Sequence, residues 1–591
     1  SGRNKARSTH SQNQKSTPMS RETCPYLDTI HRKQLDFDFE HCCSITLQST
    51  PHIYGCLVCG KFFLGRGSKT PAFVHSVEES HCVFVHLSTG RFYCLPDNYE
   101  VVNNPSLRDI RNALNPRFTV EQVNVLEESS SLSRDLFGRR YLPGFVGMNN
   151  LKKTDGINAV VQALAHVRPL RDFFLRLSTE TNNSTQYSHL ALSFGEVLRK
   201  VWSHERFKST VDPHEFLQAV SVASQKRFRI GRQTEASEFL AWLLHNLHLG
   251  VGGKNKNSNT NRRKRGKSSV IHEIFQGRVE ITNRQRRSHV ESVEVEEDDR
   301  EGSDHEEAGD DPKRTREELD SDMLDETTIS SQFLQLTLDI PEKPLFKDDD
   351  GGLVIPQEPL VSVLRKFDGL TFSDALHLQK NATNNGVLKR RYRLTHLPPY
   401  LILHLARFKR NVFDALEKNP TIVAFPVKNL DLSSYVFDES VELKQSSKQK
   451  KKRRTNSKIP KSTEDVMSMS MKEMKEFLIS HNRKNVANGT EKDPSTILQS
   501  CLDIVQSLHQ SNLTDVLSHK YDLVANICHD SPAEVGREGK RNPLEEGSYR
   551  CHVQHTASRQ WYEMQDLHVR ETMPQLIGIS ESYLLIFERK G

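Results

Sequence analysis

Seven of the ten cysteines fall between Cys24 and Cys94, and four residues of that stretch have the types and spacing of a metal site. Cys56 and Cys59 form a Cys-x-x-Cys pair followed by Gly60, and His75 and His81 lie six residues apart. Two thiolates and two imidazoles satisfy a tetrahedral zinc ion, and a site closed by four protein ligands is structural. Such a metal stabilises a small domain whose own core is limited. Cys24, Cys42, Cys43 and Cys94 could feed a second site, and that question stays open at this point. A secreted disulfide scaffold spreads its cysteines more evenly. Clustering beside histidines in an intracellular chain reads as metal binding. The remaining thiols, Cys501, Cys528 and Cys551, lie far along the chain, near His529, His552 and His555.

The elements around these groups follow from length and pattern. A chain of 591 residues implies two or three folded units with linkers. Short strands are expected at 44–47, 83–87 and 91–95, with a mixed α and β region from Pro143 onward. The domain expectation is a tail at 1–20, a finger at 21–118, a linker at 119–141 and a large domain at 142–591. Charged insertions interrupt that domain near 254–269, 284–328 and 446–518. The net charge of +6 conceals patches such as Arg262-Arg263-Lys264-Arg265, an acidic run at 291–311 and Lys450-Lys451-Lys452-Arg453-Arg454. Segments this polar cannot bury a core; a basic run reads as a solvated loop or a nuclear-import signal. Met467, Met471, Met474 and Leu478, and then Leu498, Cys501, Leu502, Val505 and Leu508, predict two amphipathic helices. No apolar run approaches the roughly 18 residues needed to cross a bilayer, and the first 21 residues have no apolar signal core. The expectation is an intracellular, nuclear chain with no membrane partner.

Family resemblance adds to this reading. Cys24-Pro25-Tyr26-Leu27, Cys56-Leu57-Val58-Cys59, His75, His81 and Phe92-Tyr93-Cys94 resemble the UBP-type zinc finger. That family often holds more than one zinc and binds the free C-terminal tail of ubiquitin. This sequence departs from it at Tyr26 and Pro71, where the family often has histidine, and at Leu64-Gly65-Arg66-Gly67, where it often has Cys-Gly-Arg-Tyr.

The region from Pro143 to Lys590 is similar to ubiquitin-specific proteases. The markers run in family order: the Gly147 to Gln162 box, Gln233-Thr234-Glu235-Ala236-Ser237-Glu238-Phe239-Leu240, Phe275-Gln276-Gly277, Leu397 to Phe408, Tyr521-Asp522-Leu523, and Gly547-Ser548-Tyr549 with Trp561-Tyr562. The resemblance implies an α+β chain: a UBP-type finger followed by a papain-like fold of thumb, palm and fingers. It also implies that the catalytic positions have changed. A thiol protease needs a cysteine at a helix start, a histidine base and a group that orients the base. Those positions hold Asp155, Ser548 and Gln565, with Asp566 beside the last, and the oxyanion-side asparagine position holds Lys153. Near a helix start, Asp155 has a structural reading as a cap, stabilising by about 0.5–2 kcal/mol. The family's zinc ribbon in the fingers is missing, because no cysteine lies between Cys94 and Cys501.

The combination resembles the splicing branch of this family. That implies a non-catalytic nuclear scaffold of the spliceosomal tri-snRNP, with tri-snRNP proteins and snRNA as partners and zinc as its metal. Two other readings stand beside it. One is a ubiquitin-binding adaptor without protease activity. The other is an active deubiquitinase that has relocated its catalysis to Cys528 or Cys551 and nearby histidines.

Overall fold

The computed structural model describes residues 20–128, 131–177, 187–252, 269–286, 324–342, 346–347, 353–374, 389–437, 519–531 and 542–590, with single positions 474, 499 and 502. The expected helices at 467–478 and 498–508 fall outside the described residues apart from those single positions, and the three charged runs fall outside entirely. The chain divides into two compact units, residues 1–270 with 547–573, and residues 271–546 with 574–591.

The first unit opens with a six-stranded sheet. Its strands are β1 (Ser20–Arg21), β2 (Ile53–Cys56), β3 (Phe62–Leu64), β4 (Val83–His86), β5 (Phe92–Cys94) and β6 (Tyr99–Val101), and helix α1 (Pro71–Glu78) follows β3. The order is β1-β6-β5-β4-β2-β3, parallel only between β1 and β6. Side chains alternate across a strand, and here that alternation builds two cores. Ile53, Val83, Val85, Phe92 and Cys94 pack with Leu35 and Phe37, whereas Tyr54, Cys56, Phe84 and Tyr93 pack with Phe63 and Ala72.

The strand expected at 44–47 is a turn. The Leu47 N–H donates back to the Cys43 carbonyl, Leu47 has φ 56°, and Ile45 and Leu47 are exposed. A backbone bonded to itself in this way cannot join a ladder. Residues 119–141 also carry more structure than a linker. Helix α2 (Arg108–Leu114) is followed by α3 (Val120–Val125), which starts on a capping box of Thr119 and Gln122. Strands β7 (Ser133–Arg134) and β8 (Arg140–Tyr141) then form a hairpin.

Next come β9 (Gly147–Met148), α4 (Asp155–Leu164), α5 (Arg168–Arg176), α6 (His189–Trp202), β10 (Thr210–Val211), α7 (His214–Ala223) and α8 (Ala236–Val251). Every residue of α4 is buried. A helix enclosed on all sides must be apolar all round or must satisfy its polar groups internally. Three residues of α4 test this, Asp155, Asn158 and Gln162; the Gln162 amide donates to the Val146 carbonyl at 2.8 Å.

In the second unit, β11 (Gly277–Arg286) and β12 (Leu324–Phe333) pair over ten positions. Both strands run into the 284–328 stretch expected as an insertion. Small strands β14 (Phe346–Lys347), β15 (Leu353–Val354), β16 (Gln357–Pro359) and β17 (Ser373–Asp374) come after β13 (Leu336–Asp339). They are followed by β18 (Lys389–His396), β19 (Tyr400–Ala406), β20 (Phe408–Arg410), β21 (Leu416–Lys418), β22 (Ile422–Ala424), β23 (Leu430–Asp431) and β24 (Lys520–Asp530). The chain then adds β25 (Ser548–Gln554), β26 (Trp561–Gln565) and β27 (His568–Thr572) to the first unit as an antiparallel run, and ends on β28 (Ser582–Arg589) in the second. There β13, β19, β28 and β24 lie side by side. The continuous apolar run from Tyr583 to Phe587 is fully buried, as strands covered on both faces require.

Within the first unit, a loop of the finger meets helices α6 and α7 through charge. Lys200 lies 3.0 Å from Asp38 and 2.9 Å from Glu196, and is nearly inaccessible. Asp38 also accepts the Asp212 N–H at 3.4 Å, His41 pairs with Glu215 at 2.9 Å, and Lys208 contacts Asp36. Burial raises the Asp38 carboxyl, but Lys200 and Arg206 outweigh it and hold Asp38 below the ordinary range. A depressed carboxyl contributes stability above its unfolded value near pH 4. That stability is lost as pH falls through the folded value. Breaking a buried pair strands the remaining charge. We therefore expect Asp38→Asn to destabilise the first unit by about 3 kcal/mol at neutral pH, with a smaller difference from wild type in acid. Urea denaturation at both pH values checks this, and an equal midpoint at neutral pH would show that the pair contributes nothing.

Candidate functional site

The metal knuckle is built at the end of β2. Gly60 closes the turn with φ +74°, and its N–H donates to the Cys56 carbonyl at 3.0 Å. A Cβ at Gly60 would come within 2.3 Å of the Gln34 carbonyl oxygen, so only glycine fits. Cys56 and Cys59 face His75 from α1 and His81 from the segment before β4, and the four donor atoms lie within 4.8 Å of one another. Cys59 Sγ is 3.4 Å from His75 Nε2, which is 3.0 Å from His81 Nδ1. Tetrahedral zinc with bonds of about 2.0–2.3 Å has ligand-to-ligand edges of about 3.3–3.8 Å, so this donor set suits the ion in type and in approximate spacing. Hydrogen bonding from the Cys56 thiol holds the Cys59 thiol below its ordinary value, and a thiolate is the form that binds metal. The His75 ring stacks on Phe63 at 4.1 Å, which fixes its orientation. Pro71 serves as a helix-starting residue at the first turn of α1.

The other cysteines have different surroundings. Cys43 is a buried acceptor, taking N–H groups from Thr46 at 3.5 Å and Leu64 at 3.3 Å. Cys24, Cys82 and Cys94 belong to the apolar core that also holds Tyr99. Among the described residues, Cys56, Cys59, His75 and His81 are the one group of metal-ligating side chains close enough to share an ion.

The second site surrounds the start of α4. Asp155 is the first helical residue, and only 5% of it is exposed. One carboxylate oxygen accepts the Tyr549 N–H at 2.8 Å, and the Gln233 amide donates to both oxygens at 3.1 and 3.2 Å. Tyr549 Oη in turn accepts the Ala236 N–H at the start of α8, at 3.4 Å. One carboxylate thus ties α4 to β25 and to the segment leading into α8. Gly156 permits the approach, since a Cβ there would meet the Thr234 carbonyl oxygen at 2.8 Å. Burial pushes the Asp155 carboxyl up, and the Tyr549 N–H opposes that shift.

The loop before α4 keeps an unusual backbone. Lys152 and Lys153 both take left-handed conformations, with φ 79° and 56°. For residues with a Cβ, each costs on the order of 1 kcal/mol. The loop is held by the Leu151 N–H donating to Thr154 Oγ1 at 3.0 Å and by the Gly231 N–H donating to the Lys152 carbonyl at 2.9 Å.

Ser548 and Gln565 meet directly: Gln565 Nε2 donates to Ser548 Oγ at 3.1 Å. The residue wired to α4 is the neighbour, Asp566, which accepts the amides of Asn158 and Asn150, each at 3.0 Å. Its carbonyl also accepts the Met148 N–H at 2.8 Å. Sequence reasoning placed Asp155, Ser548 and Gln565 but missed the roles of Gln233, Tyr549, Asn158 and Asn150. Asn158 and Gln162 carried a signal: polar residues four apart on an otherwise apolar helix must be bonded internally.

This arrangement has no thiol and no imidazole at the three altered positions. A carboxylate is a poor nucleophile toward an amide, and these oxygens are already engaged by donors. The thiols and histidines considered as replacements are all buried. Cys528 donates to Ser580 Oγ at 3.1 Å, His552 pairs with Glu563 at 3.2 Å, and His555 bonds Ser558 at 2.7 Å. Burial holds His529 down to about 3, so it is neutral near pH 7.

Residues 146–587 match the family described as "Ubiquitin carboxyl-terminal hydrolase". The chain belongs to that family. Residues 41–106 match "Zn-finger in ubiquitin-hydrolases and other protein", so the family's finger and protease folds stand in one chain. The chain is 38% identical over 572 residues to human "Ubiquitin carboxyl-terminal hydrolase 39", covering 96% of this chain and 80% of that one. It is 33% identical to the Schizosaccharomyces pombe "Probable mRNA-splicing protein ubp10", covering 96% and 88%. It is 28% identical to the Saccharomyces cerevisiae "Pre-mRNA-splicing factor SAD1", covering 68% and 75%. A solved structure described as "an essential yeast splicing factor" superposes with a TM-score of 0.59 at 22% identity, covering 96% of this chain and all of that one, a likeness of fold.

If the knuckle is a closed structural site, the purified chain carries stoichiometric zinc by elemental analysis. His75→Ala then loses the metal and opens the finger to limited proteolysis, because metal binding and folding share one free energy. A His75→Ala chain with no zinc and an intact, protease-resistant finger would contradict the assignment.

Proposed function

We propose that this chain is a non-catalytic member of the ubiquitin carboxyl-terminal hydrolase family that acts in the nucleus, in pre-mRNA splicing, as a scaffold of the spliceosomal tri-snRNP. The observation that carries the reading is the buried Asp155 carboxylate, engaged by Tyr549 and Gln233 where the family would carry a nucleophilic thiol. Ser548 and Gln565, bonded to each other, supply neither a base nor a group that orients one. The names of the relatives from human, fission yeast and budding yeast support splicing as the process.

The proposal extends to parts. Residues 21–118 are the UBP-type finger, zinc held by Cys56, Cys59, His75 and His81 gives it structural support, and residues 142–591 are the protease-like domain. A hydrolase fold that does not turn over keeps the broad surfaces on which a protein substrate once lay, and these can hold partners persistently. Tri-snRNP proteins and snRNA are the partners in this reading.

The test is affinity purification of the tagged chain from nuclear extract, with the recovered RNAs and proteins identified. Tri-snRNP small nuclear RNAs and their proteins are expected. Recovery of ubiquitin or its conjugates without snRNA enrichment would overturn the scaffold reading in favour of a ubiquitin adaptor. Hydrolysis of a ubiquitin–fluorophore conjugate that is lost with Cys528→Ser or Cys551→Ser would overturn the non-catalytic reading.

A further inference from the structure

The four-stranded sheet of the second unit runs β12-β11-β18-β17, so β12 and β17 are its edges. An edge strand carries N–H and C=O groups that no neighbour satisfies, and folded proteins usually blunt it with short length, charge, proline or a bulge. Strand β17 is blunted in that way: it is two residues long and ends on Asp374. Strand β12 is not. It pairs with β11 over ten consecutive positions without a register shift. From Thr327 to Phe333 it carries no charge, no proline and no glycine. Among the described residues no strand lies on its outer side.

The side chains define what a neighbour would have to be. Directly opposed residues share a face. One cross-strand row runs Tyr392, Ile281, Ile329, and it stops at the edge with Ile329 56% exposed. An apolar side chain on an added strand would continue that row. Glu326 is held by Arg284 at 2.6 Å, and Thr328 Oγ1 lies 3.3 Å from Thr282 Oγ1. From Glu326 to Phe333 the edge is thus neutral, with nothing to recognise a charged ligand.

We propose that β12 receives an extended, uncharged segment of a partner protein as an added strand. Alternate residues of an edge strand turn their N–H and C=O outward at intervals of about 6.6 Å. Extended polypeptide is the ligand that matches such a series of donors and acceptors. The segment carries a β-branched or aromatic side chain opposite Ile329, which extends the row from Tyr392. A second copy of this chain is disfavoured as the occupant. Seven residues span about 23 Å, and a lone ladder of that length buries far less than the roughly 1,200–2,000 Å² of a stable dimer. A segment whose parent is anchored elsewhere needs only the ladder, because tethering supplies its concentration. The site gives the proposed scaffold one kind of partner and to that extent rests on that reading.

The test is fluorescence anisotropy of a labelled, capped heptapeptide of alternating valine and threonine with the purified full chain. Two further peptides carry N-methyl groups on all valines or on all threonines, and each lacks the donors along one of its edges. Saturable binding is expected, weakened by at least about tenfold in one or both N-methylated forms. Amide hydrogen exchange at 327–333 is expected to slow when the unmodified peptide is bound. Ile329→Lys/Ser331→Lys gives this edge the charges that blunt others and is expected to abolish binding. Val222→Lys/Leu249→Lys, at exposed positions of the first unit, is the control and leaves binding unchanged. Thermal melts establish that each variant is folded. Should the edge lysine variant not fold, Ile329→Thr keeps strand propensity and is expected to weaken binding several-fold. No binding by the wild-type chain, or equal binding of all three peptides, overturns the proposal. Wild-type affinity in the folded edge lysine variant or in Ile329→Thr also overturns it. So does full protection of 327–333 in the free chain: a protected monomer assigns the edge to another segment of this chain, and a protected dimer assigns it to a second copy. The assay uses purified protein and synthetic peptide, so its failure leaves the tri-snRNP purification standing, and failure of that purification leaves the strand site standing.

Discussion

The protease-like part of this chain is organised around one buried carboxylate. Asp155 sits at the positive end of a helix with no exposed face, where an anion is favoured by the helix dipole but penalised by the loss of water. The Tyr549 N–H and the Gln233 amide offset part of that penalty, and both come from segments distant in sequence. The bond that makes the charge tolerable is therefore the bond that joins α4 to β25 and to the approach to α8. A reactive thiol at this position would have to stay accessible and weakly engaged. This carboxylate is buried and fully engaged.

The surroundings follow the same logic. Asp566 accepts two asparagine amides, one from α4 and one from the preceding loop, and its carbonyl holds β9. The loop keeps two left-handed lysines, whose conformational cost is offset by the bonds of Thr154 and Gly231. A protease uses such a loop to place donors against a developing oxyanion. Here the bonds of the loop anchor the helix start. The finger is attached by the same physics, through Lys200, Asp38 and Glu196, where removing one charge would strand the others.

Much of this was legible in the sequence, and the line between legible and hidden is physical. The Cys56-x-x-Cys59 knuckle could be read because its ligands are local, and His75 and His81 sit on a short helix and at its exit. The strands at 83–87 and 91–95 could be read because short, nearly continuous apolar runs are what a sheet covered on both faces requires. Residues 44–47 misled because Ile45 and Thr46 have strand propensity, whereas the Leu47-to-Cys43 bond closes a turn before any partner strand arrives. Thr119 and Gln122 carried a helix-start signature inside a stretch expected as linker. Asp155 could be placed by its helix, but its partners could not, since Tyr549 lies 394 residues away. The lock between Asp38 and Lys200 is likewise a product of the fold.

The most direct measurement compares Asp155→Ala with the wild-type chain in a single preparation, recording both urea stability and hydrolysis of a ubiquitin–fluorophore conjugate. Alanine leaves the buried Tyr549 N–H and the Gln233 amide without their acceptor, which costs about 1–3 kcal/mol. The account predicts a stability loss of that size and no hydrolysis by either protein. Wild-type turnover that vanishes in an equally stable Asp155→Ala variant would show the carboxylate to be a working group and would contradict it.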